Sequence, residues 1–403
     1  MDLSFSKATL SNHLYPSDFF DYPDLKDTEK KDLLITDSLK EILSESYFDG
    51  QISVIKRNGK KAYSVRDIGK KLVLRRLSNV YRITYGIKVK PRNQIVREIK
   101  DMLREASGYR LYRLDIKHFF ESCDLCDLQR DMETKVPGVS SVIFRNLINS
   151  YNKIGGSGLP RGIETSPILS EIILRNFDES INFNEDVYYY CRYVDDIVIL
   201  TTGLEDKFEF ESNLSGMLPD GLEFNKSPDK YRVIDASSNK DSGIDFEFSF
   251  IGYKFKVDLD NKRKRSVSVD ISSNTEKKIK TKLSIALLDF SRNKDERLLE
   301  DRIKFLTTNR KIKNRRSGEN IQSGIYYDYP MVDYPSKSLV SLDSFLRFST
   351  AGFKNRISKK VGFYLSFSFS NRIQGYSFLR GHKLRIFTKF SPERIGRICR
   401  KWL

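Results

Sequence analysis

The sequence predicts an α+β protein in which short strands and longer helices alternate along the chain. Three observations support this fold class. Residues 109–115 and 187–200 are apolar, aromatic runs of the kind found in strands. Residues 246–257 alternate between apolar and polar side chains with the period of two expected of a strand pair. The segments between and after these runs carry apolar residues at helical spacing.

Two adjacent carboxylates interrupt the apolar run of residues 187–200, VYYYCRYVDDIVIL. Burying like charges side by side is costly, so the run predicts two strands joined by a tight turn at Val194, Asp195 and Asp196. A divalent metal would explain the pair, because it neutralises both carboxylates. On this stretch alone an exposed hairpin turn explains the pair as well, since aspartate is common in turns.

A third carboxylate, Asp115, ends the strand-like run in YRLYRLDIKHFF. Its neighbours Leu114 and Ile116 are apolar, so the side chain leaves a buried strand and needs a cationic partner or a metal. Residues 154–167 follow as a glycine-rich loop before the helix predicted at 168–181, with Thr165-Ser166-Pro167 at its start. A loop of this kind can cradle a phosphate or lie against a base pair.

The other local predictions follow from apolar spacing and turn residues. In the first half of the chain we expect a helix at 28–46, a hairpin at 51–64 turning at Asn58-Gly59, cation-rich helices over 66–105 and a helix at 125–150 broken at Pro137-Gly138. A helix at 201–218, a short strand at 221–234 and a turn into a charged run at 258–265 should follow. The remainder is predicted to form helices over 273–306, a loop over 307–336 and helices over 337–403.

The charge of the chain is unevenly distributed. Its 403 residues suffice for two or three domains, and their formal net charge is +17. Residues 262–403 hold 33 Lys and Arg against 12 Asp and Glu, whereas residues 1–261 are near neutral. Such a polybasic third indicates a polyanionic partner, and nucleic acid is favoured over a solvated basic face or an acidic membrane surface.

Several other classes of protein are disfavoured. No apolar run reaches membrane-spanning length and the N-terminus does not resemble a signal peptide, so we expect a cytoplasmic protein without membrane contact. The four cysteines then suit a reducing compartment. Cys123 and Cys126 have zinc-knuckle spacing, but no second pair accompanies them, so zinc is not expected.

Five segments occur in the order of the palm motifs of reverse transcriptases: RLDIKHFF, GLPRGIETSP, YVDD, GLEFNKSPDK and FSFIGYKF. Over about residues 50–257 the chain resembles the bacterial branch of that family, which includes retrons and group II intron proteins. The order and spacing of the first three segments make the resemblance specific. It implies an α+β right-hand polymerase fold, with an N-terminal region and fingers at 1–108, a palm at 109–257 with a finger insertion at about 125–165, a helical thumb at 258–345 and a basic helical C-terminal extension at 346–403.

The implied activity is RNA-directed DNA synthesis, in which dNTPs are added to a primer 3′ end. Nucleotidyl transfer of this kind uses two divalent ions, which need several hard oxygen ligands. By the resemblance, Asp115, Asp195 and Asp196, with the Ile116 carbonyl, would hold two Mg²⁺ ions, and Mn²⁺ is a possible substitute. The same three aspartates are the predicted catalytic residues.

The resemblance also implies residues that contact the nucleotide. Phe120 would lie beneath the incoming sugar and exclude a 2′-hydroxyl. Arg161, where many relatives carry glutamine, and Gly162 would pack against the nascent base pair. Lys230 would assist release of pyrophosphate, with Lys226 as the alternative.

Further implied contacts lie outside these motifs. Arg75 and Arg92 are predicted to contact the triphosphate. The turn of FSFIGYKF, by the resemblance, would be a primer grip formed by Phe250, Ile251, Gly252 and Tyr253.

Residues 63–99 look most like the defence-associated group of reverse transcriptases. That likeness implies a role in antiphage defence, with a companion structured non-coding RNA as template and an RNA–DNA duplex as product. Three alternatives stay open: retron-type synthesis, protein-primed or template-independent DNA synthesis, and a non-catalytic RNA-binding scaffold.

Overall fold

The computed structural model describes residues 2–57, 59–105, 107–136, 138–236, 245–259, 265–351, 356–362 and 364–402. The chain divides into two compact units. Unit 1 comprises Met1–Lys90, Ser107–Asn239 and Arg315–Gly318, and unit 2 comprises Pro91–Ala106, Lys240–Asn314 and Glu319–Leu403. Within the described ranges, no helix is both long enough and apolar enough to cross a membrane.

The strands are β1 (Ile52–Arg57), β2 (Lys60–Val65), β3 (Arg110–Asp115), β4 (Val187–Tyr193), β5 (Asp196–Thr201), β6 (Arg232–Asp235), β7 (Phe246–Phe250), β8 (Tyr253–Leu259), β9 (Arg265–Ile271), β10 (Asn309–Lys313) and β11 (Asn320–Gly324).

The helices are α1 (Lys7–Ser11), α2 (Asp18–Asp21), α3 (Thr28–Lys40), α4 (Ile68–Thr84), α5 (Arg92–Met102), α6 (Phe119–Ser122), α7 (Cys126–Lys135), α8 (Gly138–Lys153), α9 (Ser166–Ile173), α10 (Arg175–Asn182), α11 (Lys207–Gly216), α12 (Ser273–Asn293), α13 (Glu296–Thr307), α14 (Lys337–Thr350), α15 (Arg356–Val361), α16 (Phe367–Gln374), α17 (Phe378–Lys383) and α18 (Pro392–Cys399). A 3₁₀ turn at Pro23–Lys26 precedes α3.

A four-stranded sheet in the order β4-β5-β3-β6 organises unit 1. Each neighbouring pair is antiparallel, and Asp115 of β3 lies opposite Asp196 of β5. Because side chains alternate across a strand, one face of β3 carries Tyr112 and Leu114 while the other carries Arg113 and Asp115. The face with Tyr112 and Leu114 is therefore apolar, while the other face combines the apolar Leu111 and Val198 with Arg113 and Asp115.

The apolar face of this sheet packs into the main core of unit 1. Tyr112 and Leu114 of β3 and Ile197 and Ile199 of β5 are fully buried there. Helices α4, α8 and α9 supply further members of the same cluster. Burial of each large apolar side chain contributes about 1.5–3 kcal/mol, so the position of the sheet is fixed by many such contacts.

Unit 2 contains a three-stranded antiparallel sheet in the order β7-β8-β9. Alternate residues of β7 are buried, and the Phe248 ring stacks on that of Phe255 with centroids 5.0 Å apart. Asp270 of β9 accepts hydrogen bonds from the Ser336 hydroxyl (2.7 Å) and the Ser338 amide (3.0 Å), which anchors the start of α14.

A second, smaller sheet in unit 2 is the antiparallel pair β10–β11. Phe387 forms a parallel bridge with Asn309, so the chain after α17 lies along the edge of β10. The Asn309 amide donates to the Ile386 carbonyl and the Thr388 amide donates to the Asn309 carbonyl, both at 2.7 Å.

Most predicted elements are present. The α+β class is confirmed, as are the hairpin at 51–64, the strand ending at Asp115 and the two strands that flank Val194. Asn58, Pro137 and residues 260–264, on which three predictions fell, lie outside the described residues.

Four predictions are corrected. The helix expected at 168–181 is two helices that meet at Leu174, and the helix expected at 28–46 ends at Lys40. The loop expected at 307–336 contains β10 and β11. The strand expected at 221–234 is mostly loop, since β6 begins only at Arg232.

Candidate active site

The turn between β4 and β5 presents the paired carboxylates. Tyr193 lies opposite Asp196 in the strand register, so Val194 and Asp195 form the turn itself. Val194 has a φ of 59°, in the left-handed region that β-branched residues rarely adopt. Arg192 donates to the Val194 carbonyl at 3.0 Å and holds the turn in this conformation.

Arg192 also connects the turn to the helices behind it. Its side chain is only 4% exposed and forms ion pairs with Glu171 of α9 (2.8 Å) and Asp178 of α10 (2.6 Å). An unpaired charge in such a position would be strongly destabilising. Here the two carboxylates neutralise the buried guanidinium. The turn is therefore anchored to rigid helices.

Asp115 reaches the same end of the sheet from β3. It lies directly opposite Asp196, and the Ile116 amide donates to the Asp195 carbonyl at 3.1 Å. The Asn225 amide donates to the Asp115 carbonyl at 2.8 Å, which fixes the backbone from the other side. Residues 80 positions apart in sequence thus meet at one sheet end, as predicted.

Two side-chain cations neutralise these carboxylates. Arg113, whose side chain is 6% exposed, forms an ion pair with Asp196. The Lys230 ammonium lies 2.6 Å from Asp115 Oδ1, and the Asn225 side-chain amide lies 3.3 Å from Asp115 Oδ2. The positive charge at this end of the sheet thus offsets part of the carboxylate repulsion.

Asp195 has the least favourable surroundings of the three. Burial raises its pKa, and the nearby carboxylates of Asp196 and Asp115 raise that pKa further, while Lys230 opposes the shift. A group with a raised pKa at a cluster of like charges is a common feature of functional sites. A bound cation would reverse the effect, because it favours the ionised form.

The donor set fits a magnesium site in its chemistry. Asp115, Asp195 and Asp196, with the Ile116 carbonyl, offer the hard oxygen ligands that Mg²⁺ prefers. Over the described parts of the chain, no three or more His, Cys, Asp or Glu side chains are grouped closely enough to hold a metal ion. The side-chain geometry instead directs oxygens of Asp115 and Asp196 to Lys230 and Arg113.

The glycine-rich loop is joined to β2 and to α6 by backbone hydrogen bonds. The Leu159 amide donates to the Phe120 carbonyl at 2.6 Å, and the Tyr63 amide donates to the Arg161 carbonyl at 2.7 Å. A Cβ at Gly162, where φ is 99°, would lie 2.7 Å from the Tyr63 carbonyl oxygen. Glycine is therefore required for this close approach.

Phe120 and Arg161 lie against each other. The Arg161 guanidinium lies over the Phe120 ring at 4.4 Å from its centroid and pairs with Glu121 at 3.0 Å. Phe119 is buried in the core, whereas Phe120 is only partly buried. Phe119 is therefore the core aromatic of the two, and the role of Phe120 as a sugar gate stays a prediction.

The structure separates the two candidate lysines. Lys230 pairs with Asp115, whereas the Lys226 ammonium lies 4.1 Å from the centre of the Tyr231 ring. Of the two, Lys230 is therefore the one at the carboxylates.

The two predicted triphosphate arginines make contacts within their own units. Arg75 of α4 pairs with Asp18 at 2.6 Å, stacks on Tyr15 and is 9% exposed. Arg92, in unit 2, donates to the Ile251 carbonyl at 2.8 Å and lies over the Tyr253 ring. Their triphosphate contacts stay predictions.

The turn predicted as a primer grip joins β7 to β8 in unit 2. Ile251 and Gly252 have φ values of 39° and 84°, while Phe250 and Tyr253 are buried on either side. Arg92 holds this turn through the Ile251 carbonyl. The grip assignment itself stays a prediction.

Sequence reasoning missed two arginines, Arg113 and Arg192. Each stands in a strand close to a predicted carboxylate, at two residues before Asp115 and three before Asp195. For Arg113 the available signal was a cation on the same strand face as a carboxylate, because side chains two apart lie on the same side. Arg192 left no such signal, since its partners Glu171 and Asp178 lie in helices.

Comparisons with known proteins support the resemblance. Residues 63–253 match the family model described as reverse transcriptase (RNA-dependent DNA polymerase). A search of curated protein sequences found no match.

Two solved telomerases are among the structures similar to this chain. One is apo telomerase from Candida tropicalis, truncated from its C-terminal domain (13% identity, TM-score 0.34, 52% of this chain and 53% of that chain). The other is telomerase from Candida albicans in complex with a fragment of telomeric RNA (12% identity, TM-score 0.36, 93% of this chain and 65% of that chain). The chain thus spans less than two thirds of either telomerase chain. At TM-scores this low, neither telomerase supports an inference about this protein.

The family match accounts for the features of unit 1 described above. The matched range contains the antiparallel sheet, the three aspartates and the glycine-rich loop. The α+β arrangement is the right-hand polymerase fold. Residues 63–253 therefore match a reverse transcriptase domain, and this match indicates an RNA-directed DNA polymerase, which is a nucleotidyltransferase.

Proposed function

We propose that this protein is an RNA-directed DNA polymerase that adds dNTPs to a primer 3′ end by two-metal nucleotidyl transfer. The observation that carries the proposal is the register of β3 and β5, which sets Asp115 opposite Asp196 and beside the Asp195 turn. Within a reverse transcriptase domain, carboxylates at this position suit divalent ions.

In this mechanism Asp115, Asp195, Asp196 and the Ile116 carbonyl would hold two Mg²⁺ ions, which supply charge stabilisation at the attacking and leaving oxygens. The chain's own residues orient the reactants. Phe120 and the Arg161–Gly162 backbone form a surface against which the incoming nucleotide can pack.

Two cations contribute electrostatically. Lys230 carries an ammonium 2.6 Å from Asp115, from where it can donate a proton or a hydrogen bond to the leaving pyrophosphate. Arg113 fixes Asp196 from within the sheet. Both side chains would have to yield carboxylate oxygens when the ions bind.

The proposed partners are dNTPs, a structured non-coding RNA template and the RNA–DNA duplex. The charge distribution supports them, since residues 262–403 carry the surplus of Lys and Arg. The likeness of residues 63–99 to defence-associated enzymes supports a cytoplasmic role in antiphage defence. Sequencing of the nucleic acid that copurifies with the protein tests this role, and cDNA complementary to a single structured RNA is the expected result.

Primer extension on an RNA template tests the activity. Wild-type protein should extend a DNA primer with dNTPs and Mg²⁺, and the Asp195→Asn, Asp196→Asn double variant should not, while its RNA binding is unchanged. Asp220→Asn is a matched control, because that carboxylate is exposed and distant in sequence. Extension by the double variant would disprove the assigned site.

The same assay distinguishes the alternatives. RNA binding by wild-type protein without synthesis on any primer would support a scaffold. DNA that stays attached to the protein after RNase treatment would support protein priming.

A further inference from the structure

Unit 2 contains a cavity of about 480 Å³ beside the strand-like segment at Phe387. The end of α13, the turn between α16 and α17, and residues 386–389 line it. This volume lies within the range of about 300–1,000 Å³ that is usual for small-ligand sites.

The wall formed by residues 386–388 is held in place by the edge of β10. Asn309 exchanges two backbone hydrogen bonds of 2.7 Å with Ile386 and Thr388. Its buried side chain donates to the Gly381 and Ile386 carbonyls at 3.1 Å and accepts from the Tyr326 amide at 2.9 Å. The cavity is thus a built feature of the fold, since its wall is pinned by backbone and side-chain bonds.

The charges at the cavity are positive. Arg380 and Lys389 line it with exposed side chains, and neither forms an ion pair with another described residue. Lys304 lines it too, but that ammonium is paired with Glu300 at 2.9 Å. No aspartate or glutamate lines this cavity in the portion of the chain that the structure describes. The cavity therefore favours an anion.

An aromatic ring completes the site. Phe387 keeps 43% of its surface exposed although it lies in the pinned segment. The Tyr327 ring supports it from one side, with centroids 5.6 Å apart. A supported aromatic ring next to unpaired cations is the arrangement with which proteins stack an unpaired base and hold its phosphates.

We propose that this cavity binds a nucleotide of single-stranded nucleic acid, with its base on Phe387 and its flanking phosphates at Arg380 and Lys389. Stacking on Phe387 requires a base that is free of its own pairing partner, so a single strand is favoured over a duplex. The site extends the proposed function by adding a single-strand contact, and it requires none of the residues assigned to catalysis.

Fluorescence anisotropy with labelled oligonucleotides tests the proposal. The full-length protein is titrated with single-stranded RNA, single-stranded DNA and a blunt RNA–DNA duplex. Phe387→Ala should weaken single-strand binding by roughly 5- to 150-fold and leave duplex binding within about twofold, because stacking of one base is worth about 1–3 kcal/mol. If Phe387→Ala loses more affinity for single-stranded RNA than for single-stranded DNA, the bound nucleotide belongs to RNA, and the reverse result assigns it to DNA.

The charge contribution is measured separately. Arg380→Gln and Lys389→Gln should each lower the salt dependence of single-strand binding by about one counterion. Leu384→Ala is the matched control for the ring, because Leu384 is a large apolar residue of the same segment and is 61% exposed. Lys337→Gln, at an exposed lysine of α14, is the control for charge.

Equal effects of Phe387→Ala and Leu384→Ala would overturn the proposal, as would an equal loss of duplex binding. Thermal unfolding of each variant shows whether the fold is retained. Binding does not need catalysis, so a wild-type protein that fails to extend primers would contradict the proposed function alone. Three results together would support both the proposed function and this site. Wild-type protein extends primers, Leu384→Ala keeps its single-strand binding, and Phe387→Ala loses it.

Discussion

Arg113 forms an ion pair with Asp196 across the β3–β5 strand pair, two residues before Asp115 on the same strand face. The guanidinium also donates to the Leu114 carbonyl at 2.9 Å and to the Lys230 carbonyl at 3.1 Å. A single buried side chain therefore connects the carboxylate turn, the strand that carries Asp115 and the loop that carries Lys230.

We expect Arg113→Gln to destabilise the protein by about 2–3 kcal/mol. Breaking a fully buried ion pair costs about 3–5 kcal/mol, and the loss is smaller here because Asp196 keeps 24% of its side chain exposed. Urea unfolding measures the change. Adding Asp196→Asn should recover at least about 1 kcal/mol, since the two losses are coupled. If the losses of stability in the two single variants simply add in the double variant, the ion pair contributes nothing. Arg145→Gln, at an exposed arginine of α8, is the control, and a loss of stability equal to that of Arg113→Gln would also argue against the ion pair.

Lys230→Ala should reduce the rate of single-nucleotide incorporation by about 100-fold or more, because a positioned proton donor typically contributes that much. Lys226→Ala should stay within about twofold of wild type, since Lys226 lies on the Tyr231 ring. Single-turnover kinetics with saturating dNTP measure both variants. A greater loss in Lys226→Ala would reverse the assignment.

Phe120→Ala should lower the preference for dNTPs over rNTPs by at least about tenfold, because removal of the ring opens space for a 2′-hydroxyl. The ratio of the two incorporation efficiencies on one template measures this preference. Phe183→Ala serves as a control, since that ring is 86% exposed at the end of α10. An unchanged ratio in Phe120→Ala would remove the gate assignment.

His382 should make the protein less stable in mild acid. The ring is 1% exposed, its Nε2 donates to the Tyr329 carbonyl at 2.9 Å and its Nδ1 contacts the Tyr334 hydroxyl. Burial lowers its pKa and Arg385 lowers it further, whereas the Tyr329 carbonyl and Asp270 oppose the shift. The unfolded chain therefore takes up a proton more readily than the native state, and this contribution to stability is lost as pH falls below about 6.5.

Thermal unfolding between about pH 7.5 and about pH 5 measures that loss. His382→Gln should lower the melting temperature at neutral pH and flatten its dependence on pH. His118→Gln is the control, because His118 is exposed. The same slope in His382→Gln and wild type would show that another group is responsible.

The meeting of Asp115 with the Asp195–Asp196 turn was predicted through the resemblance to reverse transcriptases, while the apolar runs only marked the three aspartates as unusual. Those residues interrupt apolar strands, and a carboxylate inside an apolar run has few explanations. The sequence was sufficient for the glycine-rich loop, because positive φ and close backbone approach at Gly162 leave a compositional trace.

Other features depended on contacts that no local pattern records. Arg75 appeared to be available for a triphosphate, but its partner Asp18 is 57 residues away. Strands β10 and β11 were missed because Lys311, Lys313 and Gln322 are exposed polar residues, so the pair lacks the apolar alternation by which strands are recognised. The edge of β10 is instead covered by the chain at Ile386 and Thr388, which is a contact between residues distant in sequence.

The left-handed conformation of Val194 makes the carboxylate turn dependent on its surroundings. A β-branched residue resists this backbone angle, so contacts outside the turn must stabilise it. The apolar strands on either side and the ion pairs of Arg192 with α9 and α10 hold it there. The alignment of Asp195 and Asp196 with Asp115 is therefore a property of the whole sheet and its helices, so a substitution in α9 or α10 that breaks the Arg192 ion pairs should disturb it.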